Sequence, residues 1–485
     1  MEWILSATII FLWVMFVWEL LLAFRQYQVY KNTKEIPSEL KAHLKTETFE
    51  KSRLYEVDKS KLGFMSSTYS QIEATLILMF GGIPFLWELA GSIIGNFGFG
   101  SEYEITHSMM FMVLCLIYST IRSLPWSLYG TFVVEESHGF NKQTLGFYFK
   151  DLVKRLILTC IISLPVTAVL IWIVRVGGSY FFVYAWAFTL AVSLFLMTIY
   201  HDYIAPWFDR FIQLPAGDLR SSIEKLATSI DFPLTKILVV EGSKRSAHSN
   251  AYFFGFFKNK RIVLFDTLLK ESPFEKEKKE EELKKKEELE KEKVEEAKEA
   301  GNEEDENSDV KKEYQNEDTK IQENEKKEEK SGKGCSNEEI LAVLGHELGH
   351  WKLNHTLKHL IIGQVNLFLD FFLFGLLMDM DILYTSFGFP DSKPVLIGLL
   401  IIFQFIFSPY HELLGFCLTL LSRRFEFQAD AFAKSLGYSK ELQSSLIKLN
   451  EDNLQFPVND KWFSTYHHSH PPLLERLRAL KTKQD

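Results

Sequence analysis

The sequence predicts a predominantly α-helical membrane protein with seven transmembrane helices and a small β-sheet. Nearly half of its residues are hydrophobic, and its apolar residues gather in seven long runs. Each run is close to the roughly 20 apolar residues that a helix needs to cross a bilayer. Between the fifth and sixth runs lie short stretches rich in Ile, Val and Leu, which are typical of β-strands. The seven runs lie near residues 3–23, 74–97, 108–128, 156–174, 180–200, 359–379 and 394–421.

Positive charges on the loops predict how the chain lies in the membrane. The segment between the first two runs carries nine Lys and Arg residues, residues 101–107 carry none, and the loop after the third run is basic again. Because cytosolic loops are enriched in Lys and Arg, we expect the N-terminus outside the cytosol and residues 201–358 and the C-terminus inside it. Charges within the runs require either a partner on another helix or a water-filled space. The charged residues in question are Glu19, Glu88, Arg122 and Asp370.

The net charge of −9 is confined to one segment. Residues 275–330 carry 24 acidic and 15 basic side chains, so their net charge equals that of the whole chain and the other residues sum to zero. Because the rest of the sequence shows no basic groove, we expect no nucleic-acid partner. The segment lacks an apolar stripe and is predicted to be a disordered insertion over 275–333, although blocks of Glu and Lys would also allow a solvated helix over 280–299. The four cysteines form no CxxC pair, which argues against a disulfide framework.

Regular elements are expected on either side of this insertion. Gly217 to Ile230 has the pattern of an amphipathic helix, and residues 236–241 and 261–266 have the pattern of strands in a hairpin or small sheet. The predicted organisation is five transmembrane helices in 1–205, an α/β region in 206–274, the insertion in 275–333, a helix in 336–358, two transmembrane helices in 359–421 and a C-terminal region in 422–485.

A helix with a metal-binding pattern follows the insertion. Ser336 and Glu339 form a capping-box pattern at its start. His346 and His350 are four residues apart and project from one face, so their imidazoles can bind the same zinc ion. Glu347 lies beside them, where a general base for an attacking water is needed. This HExxH pattern predicts one Zn²⁺ per chain and hydrolysis of a peptide bond.

A catalytic zinc takes three protein ligands, so a third ligand must lie elsewhere in the chain. The helical stretch 422–433 offers Glu426, followed one turn later by Asp430, which could hydrogen-bond to a ligand histidine. His411 begins a similar pattern, but Gly415 stands in place of the second histidine, and we rank it below Glu426. Two transmembrane runs separate His350 from Glu426, so both residues return to the same side of the membrane.

With these motifs the sequence resembles the type-1 CAAX prenyl proteases, integral-membrane zinc metalloproteases that process farnesylated proteins such as prelamin A. The resemblance rests on the seven runs and on four segments, 249–253, 346–351, 426–430 and 470–476. It implies a zincin-like (gluzincin) domain attached to seven transmembrane helices that enclose a water-filled chamber. It also implies zinc ligation by His346, His350 and Glu426, with Glu347 as the catalytic base.

The same resemblance implies further roles and a location. Asn250 would bind the main chain of the substrate, His470 would stabilise the oxyanion, and Arg476 would lie near the cleft and contact substrate. Family members sit in the endoplasmic reticulum membrane and the inner nuclear membrane. They remove the last three residues of farnesylated CAAX proteins, with a second upstream cut in some substrates.

Two alternatives remain open at this point. A membrane zinc protease of the same fold that clears stalled or misfolded membrane proteins would share each catalytic residue. A seven-span transporter or receptor with a structural zinc is the other alternative. Because a structural zinc is closed by four protein ligands, a pattern of three ligands and a base favours an enzyme.

Overall fold

The computed structural model describes residues 3–100, 102–244, 248–255, 258–299 and 334–481. It holds five helices long and apolar enough to cross a bilayer and two bent helix pairs, which makes seven spans when each pair counts as one. The five helices are α1 (Trp3–Asn32), α4 (Glu104–Tyr129), α5 (Leu145–Val176), α6 (Phe181–Ile199) and α10 (His355–Leu377). The bent pairs are α2 (Thr46–Met79) with α3 (Gly82–Gly95), and α12 (Val395–Leu399) with α13 (Ser408–Ser435). The predicted seven-span α-helical fold is confirmed.

The two bends have identifiable causes in the backbone. The second span turns by 68° between α2 and α3, where Gly81 has a φ of +67°, a conformation that glycine adopts without steric cost. The seventh span turns by 59° at Phe407, between a π-helical stretch (Leu400–Ile406) and Pro409 in the first turn of α13. Proline cannot continue the helical hydrogen-bond ladder. The sequence predicted both spans as uninterrupted runs, because apolar composition carries no information about a bend.

Successive spans run in opposite directions. If the directions alternate, the starts of some spans and the ends of others lie on one side of the membrane, and these helix ends meet in a single apolar cluster. The cluster joins the starts of α1, α6 and α12 to the ends of α5 and α10. Its members include Ile4, Val174, Phe181, Phe374 and Ile397. Because α6 begins at this cluster, the region that follows it lies at the opposite end of the spans from the start of α1.

Three of the four charged residues within the apolar runs contact a side chain on another helix. The pairs are Arg122 with Glu73, Asp370 with His411 at 3.4 Å, and Glu19 with His467 at 3.1 Å. The fourth residue, Glu88, is exposed. Contacts between helices therefore involve three of the four charged residues in the apolar runs.

A four-stranded sheet forms the centre of the domain between α6 and α10. Its strands are β1 (Phe211–Gln213), β2 (Leu234–Val240), β3 (Ala251–Phe254) and β4 (Lys260–Phe265), in the order β1-β2-β4-β3. The two predicted strands correspond to β2 and β4, which are parallel neighbours. The antiparallel hairpin is formed by β3 with β4, so the short strand β3 occupies one edge of the sheet.

The remaining helices complete the fold. They are α7 (Asp218–Ser229), α8 (Pro273–Glu299), α9 (Asn337–Lys352), α11 (Asp381–Ser386), α14 (Ser439–Asp452), α15 (Lys461–His467) and α16 (Leu473–Leu480). The helix α7 matches the predicted amphipathic helix. It packs with α9 and the sheet around one apolar core, which includes Ile223, Val239, Ile262, Leu344 and Leu348. The four cysteines are free thiols.

Residues 275–299 of the predicted disordered insertion lie in the helix α8, which includes the solvated helix that the sequence allowed over 280–299. Glu and Lys are strong helix formers and pair across one turn, so this helix needs no apolar stripe. Its start is anchored to the domain, because Phe274 is buried in the core and Glu277 lies 2.9 Å from Arg210. The rest of the predicted insertion, residues 300–333, lies outside the described residues.

Candidate metal centre and active site

The helix α9 begins at the predicted capping box. The Ser336 hydroxyl accepts from the Glu339 backbone N–H at 3.2 Å, and the Glu339 carboxylate accepts from the Ser336 N–H at 2.7 Å. These bonds satisfy N–H groups that a helix start otherwise leaves unpaired. At the other end of α9, Lys352 donates to the Ile230 carbonyl at 2.9 Å and Trp351 packs edge-on against Phe232. Both ends of α9 are therefore held.

Small residues allow α9 to approach α13 closely. A Cβ atom on Gly349 would lie 3.1 Å from the Ala429 Cα and 3.2 Å from the Ala429 carbonyl oxygen, which is tighter than ordinary contact. One turn earlier Gly345 faces Ala433, and both alanines are fully buried. Glycine between the two histidines thus brings α13, with its acidic side chains, within reach of the imidazoles.

The structure brings His346, His350 and Glu426 together as a potential metal site. The two histidine Nε2 atoms are 3.2 Å apart. The Glu426 carboxylate places Oε2 at 3.4 Å from the His346 Nε2 and Oε1 at 3.2 Å from the His350 Nε2. The side chains of His346 and Glu426 are 7% and 6% exposed, so the three groups converge in a largely dry place.

These three donor groups fit a zinc ion. For Zn–N and Zn–O bonds of about 2.0–2.1 Å, two ligand atoms of a tetrahedral site lie about 3.3 Å apart. The two Nε2 atoms, 3.2 Å apart, agree with that value, and each has one Glu426 oxygen at a similar distance, Oε2 at 3.4 Å from His346 and Oε1 at 3.2 Å from His350. Burial alone would lower the pKa of His346, but hydrogen bonds to Asp430 and Glu426 raise the pKa to about 9. The surroundings thus favour a positive charge at this point.

Asp430 orients the first histidine. Its Oδ1 atom accepts from the His346 Nδ1 at 2.8 Å, which leaves the His346 Nε2 lone pair directed at the metal position. Arg476 in turn donates to both Asp430 oxygens, from Nε at 2.9 Å and from Nη2 at 2.6 Å. The Arg476 side chain is only 11% exposed, so its charge is directed mainly at Asp430 and, at 3.8 Å, at Glu426.

The second histidine is held by a residue that the sequence did not single out. His355, the first residue of α10, places its Nδ1 3.0 Å from the His350 Nδ1, and its Nε2 lies 3.0 Å from the Gln428 Oε1. Its ring is buried and stacks on Phe425 with a centroid distance of 4.0 Å. If Nε2 of His350 binds a metal, its Nδ1 carries the proton and donates to His355, which donates onward to Gln428.

The spacing of five residues between His350 and His355 gave no indication that their side chains are in contact. In a continuous helix, five residues correspond to a rotation about 140° away from the first side chain. The chain instead breaks at Asn354, which has a φ of +57°, and α10 starts in a new direction. That break returns His355 to the ligand, and Asn is one of the few residues that tolerate the left-handed conformation.

Glu347 lies beside the ligand histidines on α9 and is largely buried. Burial raises the pKa of its carboxyl group, and the nearby Glu426 acts in the same direction, while the histidines oppose them. A carboxylate with a raised pKa is a stronger base than an exposed one, which suits a group that accepts a proton from water.

A cleft of about 680 Å³ opens beside the metal position and is lined by Asn250, His470 and Arg476. The His470 Nδ1 lies 2.9 Å from the Glu426 Oε2, while its side chain is 71% exposed, so its other nitrogen is open to the cleft.

Asn250 precedes the edge strand β3, and its Oδ1 accepts from the Ala251 N–H at 2.8 Å. Asn453, which the sequence did not suggest, accepts from the neighbouring Ser249 N–H at 2.9 Å and so holds this segment.

The rival ligand His411 lies elsewhere. It contacts Asp370 within the membrane part, and Asp370 also accepts from Asn366 at 2.8 Å. Within the described part of the chain, the group of His and acidic residues with metal-binding geometry is the one made by His346, His350 and Glu426.

Comparison with known proteins identifies the class. Residues 26–210 match the family described as "CAAX prenyl protease N-terminal, five membrane helices", and residues 213–484 match "Peptidase family M48". A bundle of spans that carries an M48 peptidase domain is a membrane zinc metalloprotease.

Similar proteins extend the match over the whole chain. A human protein named CAAX prenyl protease 1 homolog is 58% identical over 480 residues, which are 99% of this chain and 95% of the relative. The Caenorhabditis elegans protein of the same name is 43% identical, over 97% of this chain and 96% of its own length. The crystal structure of S. mikatae Ste24p superimposes with a TM-score of 0.78 at 33% identity, covering 99% and 98% of the two chains. The chain belongs to the CAAX prenyl protease family, as the resemblance in its motifs predicted.

Proposed function

We propose that the protein removes the last three residues of farnesylated CAAX proteins by zinc-dependent hydrolysis, with a second upstream cut in some substrates. The observation that carries this proposal is the placement of the three-ligand site and its glutamate beside an open cleft at the end of seven membrane spans. Relatives named CAAX prenyl protease 1 homolog match along the full length of the chain, which supports the same substrate class.

In this proposal His346, His350 and Glu426 hold one Zn²⁺, and Asp430 and His355 orient the two histidines. When bound, zinc would polarise the scissile carbonyl and lower the pKa of the attacking water. Three protein ligands would leave one position of a tetrahedral zinc for water or substrate, and His470, which contacts Glu426, also lines the cleft.

Glu347 moves the proton. Its carboxylate accepts a proton as water attacks the carbonyl carbon of the prenylated cysteine, and returns it to the nitrogen of the next residue as the C–N bond breaks. The products are a substrate that ends in the cysteine carboxylate and a free tripeptide. A positioned general base of this kind contributes roughly 100- to 10,000-fold in rate.

The groups around the cleft have distinct roles in the proposal. Asn250 and the edge strand β3 bind the main chain of the substrate by strand addition. His470 donates from its exposed nitrogen to the oxyanion when its ring is protonated. Arg476 lines the cleft, but its bonds to Asp430 favour a positioning role over direct contact with substrate.

The loop charges support an N-terminus in the lumen and an active site that faces the cytosol or nucleoplasm. The apolar cluster at the start of α1 agrees with this arrangement, because it lies at the opposite end of the spans from the protease domain. We propose the endoplasmic reticulum membrane and the inner nuclear membrane as the location.

A pair of matched peptides tests the proposal. Purified protein in lipid nanodiscs is given a farnesylated CAAX peptide and its unprenylated twin, and mass spectrometry identifies the products. We expect release of the C-terminal tripeptide and a higher kcat/KM for the farnesylated peptide, and about 100- to 10,000-fold slower product formation by the Glu347→Gln variant. Equal kcat/KM values for both peptides would instead favour the clearance of misfolded membrane proteins.

A further inference from the structure

A second cavity opens from the catalytic cleft into the membrane part. It has a volume of about 330 Å³ and lies between α1 and α2. It joins the cleft through side chains that line both cavities. These shared residues are Tyr30, Glu56, Lys59 and Phe463. The second cavity is called the α1–α2 groove below.

Beyond this junction the groove is lined by apolar residues together with the polar side chains of Glu19, Gln26, Ser60 and Ser67. Phe16, Leu20 and Ala23 line it from α1, and Gly63 and Phe64 line it from α2. The lining residues of α1, from position 16 to position 30, cover about 21 Å along the helix axis. Since α1 is long and apolar enough to span a membrane, the groove extends from the cleft along a membrane span.

Each charged side chain that lines the groove contacts another side chain. Glu56 and Lys59 at the junction form an ion pair at 3.0 Å. Glu19, which lines the groove, lies 3.1 Å from His467, which lines the cleft. This second contact crosses the boundary between the two cavities.

We infer that the α1–α2 groove binds the isoprenoid chain of the prenylated substrate while the peptide lies in the cleft. The inference rests on the proposed function and assigns the prenyl group to one place in the molecule. An isoprenoid attached to a cysteine at the metal centre must lie next to the cleft, and transfer of its apolar surface from water to this groove is favourable.

Another apolar cavity does not meet this requirement. It lies between α6 and α10, has a volume of about 520 Å³ and is lined by residues such as Trp186, Leu190 and Phe368. Within the described residues, it shares none of its lining side chains with the cleft. A chain held there would be separated from the peptide to which it is attached.

Gly63 allows the groove to be filled by one substitution. A Cβ atom added to Gly63 meets no heavy atom within 4 Å, so a side chain can begin at this position without a clash at its first carbon. A Cβ atom added to Gly363 in α10 also meets open space, but Gly363 does not line the groove. Gly63→Phe is therefore the test, Gly363→Phe is its control, and Gly63→Ala gives a smaller change at the same position.

The readout is the ratio of kcat/KM for the farnesylated peptide to kcat/KM for its unprenylated twin. We expect Gly63→Phe to lower this ratio at least tenfold, mainly through KM for the farnesylated peptide, and Gly63→Ala to lower it less. Zinc content and thermal melting establish that each variant is folded. An unchanged ratio in Gly63→Phe, or an equal fall in Gly363→Phe, would overturn the inference and leave the proposed function intact. A wild-type ratio of one would overturn both.

Discussion

Replacing His355 with phenylalanine is expected to weaken zinc binding while leaving the fold intact. His355 contacts the Nδ1 atom of His350 at 3.0 Å and stacks almost parallel on Phe425, with an interplanar angle of 5°. Phenylalanine keeps the ring and the stacking but provides no hydrogen-bond acceptor. His355→Asn is the matched variant, because the asparagine Oδ1 can accept from the His350 Nδ1 much as the imidazole does.

The size of the effect follows from the bond that is lost. In the metal-bound state the His350 N–H would be left without its partner in a partly buried place, at a cost of about 1–3 kcal/mol. In the metal-free state His350 can move its proton to the other nitrogen and avoid most of this cost. The difference corresponds to a roughly 10- to 100-fold weaker Kd for zinc, as is typical when the partner of a ligand histidine is removed.

The measurement is a zinc competition titration against a chelator of known affinity, performed on wild type and both variants. Thermal melting of the metal-free proteins reports on the fold separately. We expect His355→Phe to bind zinc about 10- to 100-fold more weakly and His355→Asn to recover most of the loss. A His355→Phe variant with wild-type affinity, or an asparagine variant as weak as the phenylalanine one, would refute the reasoning.

Three further predictions concern the site and the insertion. Glu347→Gln should retain zinc at the wild-type level and lose activity by about 100- to 10,000-fold, because Glu347 acts on water and is not a ligand; normal turnover would contradict its role. Glu426→Ala should lose zinc and activity while His411→Ala retains both, as metal analysis of the two purified variants would show; the reverse result would reassign the third ligand. Deletion of residues 281–330 should leave kcat/KM within a few-fold of wild type, since the start of α8 keeps its contacts through Phe274, Glu277 and Lys278 and loop closure depends weakly on length. Loss of activity in a folded, zinc-loaded deletion variant would give the insertion a part in the active site.

Much of the fold was predictable because its signals are local in the sequence. The seven apolar runs, the capping box at Ser336 and the spacing of His346 and His350 each depend on neighbouring residues, and the structure shows the corresponding elements. The bends were missed although Gly81 and Pro409 stand at them, since a run of apolar residues obscures one glycine or proline. The order of the strands in the sheet could not be predicted from the sequence either, because the parallel pairing of β2 and β4 is set by tertiary packing.

The site residues also fall into two groups, those predicted from a local sequence pattern and those whose contacts depend on tertiary structure. The spacing on α9 indicated two donor groups and a base, and the count of membrane crossings favoured Glu426 as the third. His470 and Arg476 were suggested by resemblance, since nothing in their local pattern requires a C-terminal segment to return to the metal position. His355 and Gln428 were missed, because their contact depends on the left-handed turn at Asn354 and on the close packing of α9 against α13.

Anomalous diffraction at the zinc absorption edge, on crystals of the zinc-loaded Glu347→Gln variant, tests the central claim most directly. We expect one anomalous peak per chain, about 2.0–2.2 Å from the Nε2 atoms of His346 and His350 and from a carboxylate oxygen of Glu426. A principal peak at His411, or one closed by a fourth protein ligand, would contradict a catalytic zinc held by these three side chains.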